Sequence, residues 1–254
     1  KPNLLITALG KMSKRLRLGV MGNVLVFHQP WRLVEDLGML DYLTEGRLEI
    51  GVAAGVPQEF VVIGVPPEEV RPRYEEMLDY LDHAWDQKIV RHHGKFWDFA
   101  GVPVTPRLRP EARRRKWMTV FGVDSAVAGA RRGYKLCTGF QSTEKVAHVY
   151  EAYREAAARA GWHAGPDDLG IRRQVLICET HAEAQSLNAE LVESAQPRMI
   201  ASAARLQDRL AENAGETLSE DVTDAETSVE DTALRAAQAA ASAASHLEAA
   251  HVNP

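Results

Sequence analysis

Residues 117–133, WMTVFGVDSAVAGARRG, set an apolar strand directly before Gly122, Asp124 and Ser125, and a helical run of small residues follows. A helix N-terminus offers unpaired N–H groups and the positive end of the helix dipole, which suits a phosphate. The Ser125 hydroxyl would add a donor. The plainer reading makes Asp124 or Ser125 an ordinary N-cap, and on the local sequence alone that reading is favoured. A second candidate is LTEGRLEIGVAAGVPQEF, residues 43–60, where a strand opens into the small-residue loop Gly51-Val52-Ala53-Ala54-Gly55 with Glu59 beyond it. Tiny side chains at a strand end let a large ligand approach the backbone. Met21-Gly22, inside VMGNVLVFHQP, gives the same opportunity at the end of another strand, with a bulge or simple packing as the equal alternative.

Few other residues carry an obvious chemistry. His28, just before Pro30, is a weak acid–base candidate, since a lone loop histidine is more often a surface or capping group. His92 and His93 are adjacent in a hairpin-like stretch and lack the i, i+4 spacing of a helical metal site, so no metal is expected. Asp41 and Arg47 bracket a turn and read as an ion pair fastening it. Trp97 and Trp117 read as core or edge aromatics. Cys137 and Cys178 each sit in an apolar run and read as buried, reduced thiols in strands.

The elements that would position these residues alternate. A helical segment, PNLLITALGKMSK, precedes the strand RLRLGVMGNVLVF. Pro30 then suits a first helical turn, Leu33, Val34, Leu37, Leu40 and Leu43 form one apolar stripe, and Gly46 terminates it. The strand RLEIGVA follows. Residues 72–86 read as a helix, GKFWDFAGVPVTPRLRPEARRR as a hairpin or loop excursion, KWMTVFG and YKLCTGF as strands, and DSAVAGARR as a short helix closed by Gly133. Ser142 or Thr143 can cap a long helix ending at Gly161. GIRRQVLICET reads as a strand, and Thr180 with Glu183 as a capping box. Alternating strands and helices imply parallel strands with right-handed crossovers, in an open doubly wound sheet or a closed barrel. The division expected is an α/β domain over 1–200 and a tail over 201–254, first acidic and then Ala-rich, helical or disordered.

Composition narrows the partners. The chain has 254 residues and a net charge of −5, so nothing draws it to nucleic acid. Its basic clusters, Lys14-Arg15 and Arg113-Arg114-Arg115-Lys116, lack interleaved aromatics. No apolar run is long enough to span a membrane, and a cytoplasmic location is the default expectation.

With these residues in place, the run from Lys14 to Glu69 resembles the bacterial-luciferase-like flavin monooxygenases. The family's pattern there is His-Pro-x-Arg, a helix ending in Leu-Asp-x-x-Ser-x-Gly-Arg, a Gly-rich strand end, and Glu before Phe-Gly. This chain has Pro30-x-Arg32, Leu40-Asp41, Thr44 in place of Ser, Gly46-Arg47, Gly51, Gly55, Glu59 and Gly64. GKFWDFAGVPVTP, WMTVFGVDSAVAGARRG and CETHAEA extend the match to about residue 190. The resemblance implies a luciferase-like (β/α)8 TIM barrel, incomplete here at about six strands, with reduced FMN at the C-terminal face. It implies that Met21 and Gly22 line the flavin ring, with room for a non-prolyl cis peptide between them. Ala53, Ala54 and Gly55 would flank the flavin, and Gly122, Val123 and Ser125 would hold its phosphate. FMN would arrive reduced from a partner reductase and react with O2 and a small organic substrate, in a homodimer. A deazaflavin (F420)-dependent oxidoreductase and a non-catalytic flavin-binding protein are the alternatives. Two departures bear on this. Ala54 stands where many members carry a phosphate-binding Arg, and no residue matches the Glu-His-His segment that carries the family's catalytic histidine.

Overall fold

The structure, a computed structural model, describes residues 2–173 and 175–214. The chain divides into two compact units, Lys1–Val56 with Val65–Arg173, and Pro57–Gly64 with Gln174–Pro254.

The first unit begins with α1 (Pro2–Met12), β1 (Leu18–Val24), α2 (Pro30–Leu43) and β2 (Leu48–Ala53). The chain then passes through α3 (Pro57–Val62), which belongs to the second unit, and returns as α4 (Pro67–Asp86). A hairpin follows, β3 (Ile89–His93) against β4 (Asp98–Pro103), then β5 (Lys116–Thr119), α5 (Val123–Arg131), β6 (Lys135–Gly139), α6 (Thr143–Arg159) and β7 (Leu169–Arg172). The sheet has five strands in the order β1-β2-β5-β6-β7, every neighbouring pair parallel. Parallel strands must be buried on both faces. Accordingly Leu48, Ile50 and Val52 of β2 are buried, as are Leu33, Val34, Leu37 and Leu40 of α2 and Met77, Leu78 and Leu81 of α4. Each such side chain contributes about 1.5–3 kcal/mol. In the second unit α3 packs on α7 (His181–Ala214).

Local punctuation acts as the sequence predicts at most joints. Pro30 opens α2 at its first turn, and Gly46 takes φ 79° after it. Gly133 and Gly161 take φ 68° and 85° after α5 and α6. The Ser142 hydroxyl accepts from the Lys145 N–H, so Ser142 and not Thr143 caps α6. Thr180 accepts from Glu183 N–H, but the Glu183 carboxylate reaches back to the Glu179 N–H.

Four expectations are corrected. The strand predicted through Phe27 stops at Val24, and Leu25–Phe27 form a 3-10 turn. The strand predicted over GIRRQVLICET stops at Arg172, because its neighbour ends there: Gly139 opposite Arg172 is the last paired position. Val175 and Ile177 are left exposed, and Cys178 is half-buried outside any strand, whereas Cys137 is buried in β6. Asp41 and Arg47 do not pair with each other. Arg47 donates to the carbonyls of Gly10, Ser13 and Leu16, and buried Asp41 takes Arg115 Nη2 at 3.3 Å and the Arg109 N–H at 2.9 Å. An arginine six residues away on a tight turn meets the nearer carbonyls at and after the end of α1 before it meets a carboxylate pointing inward. The tail division expected at residue 200 is left as an expectation: α7 runs through that position, and the Ala-rich stretch lies outside the described residues.

The hairpin is fastened by one carboxylate. Glu76 of α4 accepts from the N–H groups of Lys95, Phe96 and Trp97 and pairs with His92 Nε2 at 3.1 Å. His92 and His93 are thus tied to Glu76 and Asp98, and no metal-ligand cluster occurs among the described residues. Burial alone would raise the Glu76 pKa, but the bonds from His92 and the hairpin amides outweigh it and hold the carboxyl below its ordinary value. The bonded carboxylate stabilises the fold fully above the unfolded-state value of about 4.3, and that stabilisation is lost as pH falls through the lower folded-state value. Glu76→Gln should therefore cost about 1–3 kcal/mol near neutral pH, and urea titrations should find the difference from wild type shrinking only under acid conditions. A pH-independent difference would refute the assignment.

Candidate functional site

The site is built where β1 and β2 end. The β1–β2 register slips between Val20, opposite Ile50, and Asn23, opposite Val52, and the Met21-Gly22 peptide bond inside that slip is cis. The two backbones touch here. A Cβ on Gly22 would lie 2.7–2.9 Å from the Val52 and Gly51 backbone, and one on Gly51 would collide with the Val20 carbonyl and lie 2.9 Å from Met21 Cα. The slip leaves a gap in the ladder that a side chain fills: buried Asn23 donates to the Gly51 carbonyl at 2.9 Å, and Asn3 donates to the Asn23 Oδ1. The sequence reading missed Asn23, although a lone amide in VMGNVLVF is its signal.

Ala53 closes β2, and Ala54 and Gly55, the latter at φ 93°, lead away. At the end of β5, Gly122 is the N-cap of α5 in an extended conformation with no side-chain cap. Val123 opens the helix, and Asp124 and Ser125 lie inside its first turn, so neither is the N-cap that the plainer reading required. A Cβ on Gly122 would meet nothing within 4 Å. Open space therefore lies beside Gly122 at the start of α5.

Ala54 and Ser125 line one cleft, joined by Thr119 of β5 and by Arg71, Tyr74 and Glu75 of α4. Three features suit an anionic ligand. The helix end contributes N–H donors and the Ser125 hydroxyl. Thr119 Oγ1, like Thr138 Oγ1 of β6, is buried with no hydrogen-bond partner among the described residues, and Thr119 is the one of the two that lines the cleft. Arg71 brings a cation, ion-paired with Glu75 and placed 5.9 Å from the Tyr74 ring centroid. Tyr74 is buried, and that burial, seconded by Glu75, pushes its phenol well above the ordinary range, so it stays neutral. Arg71 was not picked out in the sequence, where it sits among the many charges of a helix. Arg71 reaches the cleft that Ala54 lines from α4.

The candidate residues are therefore gathered unequally. Ala54 and Ser125 share the cleft, with Ala53, Gly55, Gly122 and Val123 beside them in sequence, and Met21 and Gly22 pack on Gly51. His28 does not line the cleft. It follows the 3-10 turn after β1, half-buried, its N–H bonded to the Leu25 carbonyl. Glu59 lies in the first turn of α3, in the second unit. Trp117 donates to Glu49 at 2.6 Å across the sheet, and Trp97 is buried.

Comparison with known proteins gives the family. The model of the luciferase-like monooxygenases matches residues 1–252. The chain is 25% identical over 202 residues to 2,5-diketocamphane 1,2-monooxygenase 2 of Pseudomonas putida, covering 72% of this chain and 55% of that protein. It is 24% identical over 173 residues to the alkanal monooxygenase beta chain of Photorhabdus luminescens, covering 68% and 52%. The crystal structure of monooxygenase RslO1 from Streptomyces bottropensis superposes with a TM-score of 0.72 at 26% identity, over 84% of this chain and 66% of that one. The chain spans about half the length of the curated relatives it matches.

Proposed function

Because the chain belongs to the family of luciferase-like monooxygenases and has the α/β fold of their barrel, we propose that it serves an FMN-dependent monooxygenation of a small organic substrate, with FMN delivered reduced by a partner reductase. The observation that carries this reading is the cleft where Ala54, Arg71, Thr119 and Ser125 converge on the N-terminus of α5. Relatives named for diketocamphanes and alkanals support a small organic substrate. A cytoplasmic, homodimeric enzyme remains part of the proposal, and among the described residues no helix is long and apolar enough to cross a membrane.

In this reading Gly122, Val123 and Ser125 bind the phosphate through N–H and hydroxyl donors, and Arg71 balances its charge once it turns from Glu75. Thr119 Oγ1 gains the partner it lacks. Ala53-Ala54-Gly55, with Met21-Gly22 packed against β2 beside them, line the flat ring and keep water from its face. Bound reduced FMN supplies the reaction with O2.

The test is a flavin titration of the intact protein. Ser125→Asp sets a negative charge against the phosphate and should weaken FMN binding at least tenfold, while riboflavin, which has no phosphate, should bind as before. Unchanged FMN affinity would sink the phosphate assignment. The same titration with F420 separates the two cofactor readings, and flavin binding without O2-linked turnover would favour the non-catalytic one.

A further inference from the structure

The cleft read as a phosphate site contains a group that opposes a phosphate. Glu75 lines it together with Arg71, Thr119 and Ser125, and all four belong to the first unit. A phosphate monoester carries a charge of about −1.5 to −2 near neutral pH, so a carboxylate beside it repels it. Among the residues that line the cleft, Glu75 is the acidic one and Arg71 the basic one, and the two are ion-paired across one turn of α4. The cation of the cleft is thus engaged by a neighbour that a phosphate must displace.

Glu75 is placed so that it can be displaced. Its other oxygen, Oε2, lies 3.4 Å from Arg132 Nη2, at the end of α5. Arg132 is itself anchored by two further carboxylates of α4, Asp79 at 2.7 Å and Asp82 at 2.9 Å, and Asp82 also takes Lys116 Nζ at 3.2 Å. The contact with Glu75 is the longest of the three and has room to shorten. A carboxylate with a cation on each side can leave one of them without being stranded as an unpaired charge. Arg71 has the looser setting, with its side chain 55% exposed against 25% for Arg132. Arg71 is therefore the partner that moves, and Arg132 the one that stays.

We propose that Glu75 is a positioning residue that limits how firmly the cleft holds a phosphate: it competes for Arg71, and it draws to Arg132 when Arg71 turns to the ligand. The proposal rests on the flavin reading of the same cleft and adds that release of the cofactor is favoured by a group inside the site. The experiment is fluorescence titration and stopped-flow dissociation of FMN and of riboflavin from the intact protein. Glu75→Gln should tighten FMN about three- to fivefold, mainly through a slower off-rate, and leave riboflavin unchanged. Most of that gain should vanish in the Arg71→Met background. Arg132→Met should weaken FMN, since Glu75 is left with Arg71 alone, and adding Glu75→Gln should restore it. FMN binding that is unchanged or weakened in Glu75→Gln overturns the proposal while leaving the flavin reading intact, because Glu75 would then only steady Arg71. A gain that riboflavin shares, or that persists undiminished in Arg71→Met, overturns it as well. The Glu75 and Arg71 variants decide the matter even where Arg132→Met does not fold. If FMN binds no form of the protein, inorganic phosphate is the probe: a rise in Tm with phosphate that is larger in Glu75→Gln and lost in Arg71→Met sinks the flavin reading and keeps the role of Glu75. Binding of neither ligand sinks both.

Discussion

Asp41→Ala should destabilise the protein by about 3–5 kcal/mol, seen in urea as a lowered midpoint with an unchanged slope. The Asp41 side chain is 1% exposed, and its oxygens are bound by the Arg109 N–H and by Arg115, itself 13% exposed. Arg115 also donates to the Leu48 carbonyl at 2.9 Å, so the carboxylate joins the end of α2 to the start of β2 and to the chain entering β5. Removing it leaves a guanidinium in a low-dielectric setting without its counter-charge, a larger loss than that of the hydrogen bonds alone. Asp41→Ala combined with Arg115→Met removes both charges and should recover much of the loss. A single-variant effect below about 1 kcal/mol, the range of surface pairs, would show that water reaches the pair and that it does not organise β2.

Gly51→Val should be as damaging, at about 3 kcal/mol or more, and should abolish flavin binding in whatever protein still folds. The new Cβ would run into the Val20 carbonyl and the Met21 Cα, both backbone atoms of β1, so no rotamer change relieves it. β1 would have to move away, and the Asn23 bond to the Gly51 carbonyl would go with it. Gly122→Ser is the control. A Cβ there meets nothing within 4 Å, and serine is a favoured N-cap, so stability should hold. Normal thermal unfolding and flavin affinity in Gly51→Val would mean that the two strands are not in contact where they are drawn.

Much of the molecule could be read along the chain because its joints are local. Pro30, Gly46, Gly133 and Ser142 each act through their own backbone, and the elements begin or end where they say. What stayed illegible depends on neighbours distant in sequence. The apolar stretch after Arg172 carries every local mark of a strand, yet the pairing with β6 ends at Gly139 opposite Arg172. Asp41 finds its partners near residues 109 and 115 rather than at the turn it borders. The site divides in the same way. The small residues at strand ends and the helix start after Gly122 were legible as places for a ligand. Arg71 and Glu75 are ordinary charges in the sequence and gain meaning only from the groups the fold sets beside them.

The route from β2 to β5 bears on how the sheet comes together in time. The other parallel pairs are joined by connections of about fifteen to thirty residues, whereas β2 and β5 are separated by about sixty, through α3, α4 and the hairpin. Closing that longer loop costs about 1 kcal/mol more chain entropy than closing the shortest one. Local closures therefore come first: β1 with β2 on one side, β5 with β6 and β7 on the other. The seam between β2 and β5 is the pairing of greatest sequence separation in the sheet. The candidate cleft lies across that seam, with Ala54 on one side and Thr119 and Ser125 on the other. Either half alone holds only part of it, and it becomes whole in the same event that completes the sheet.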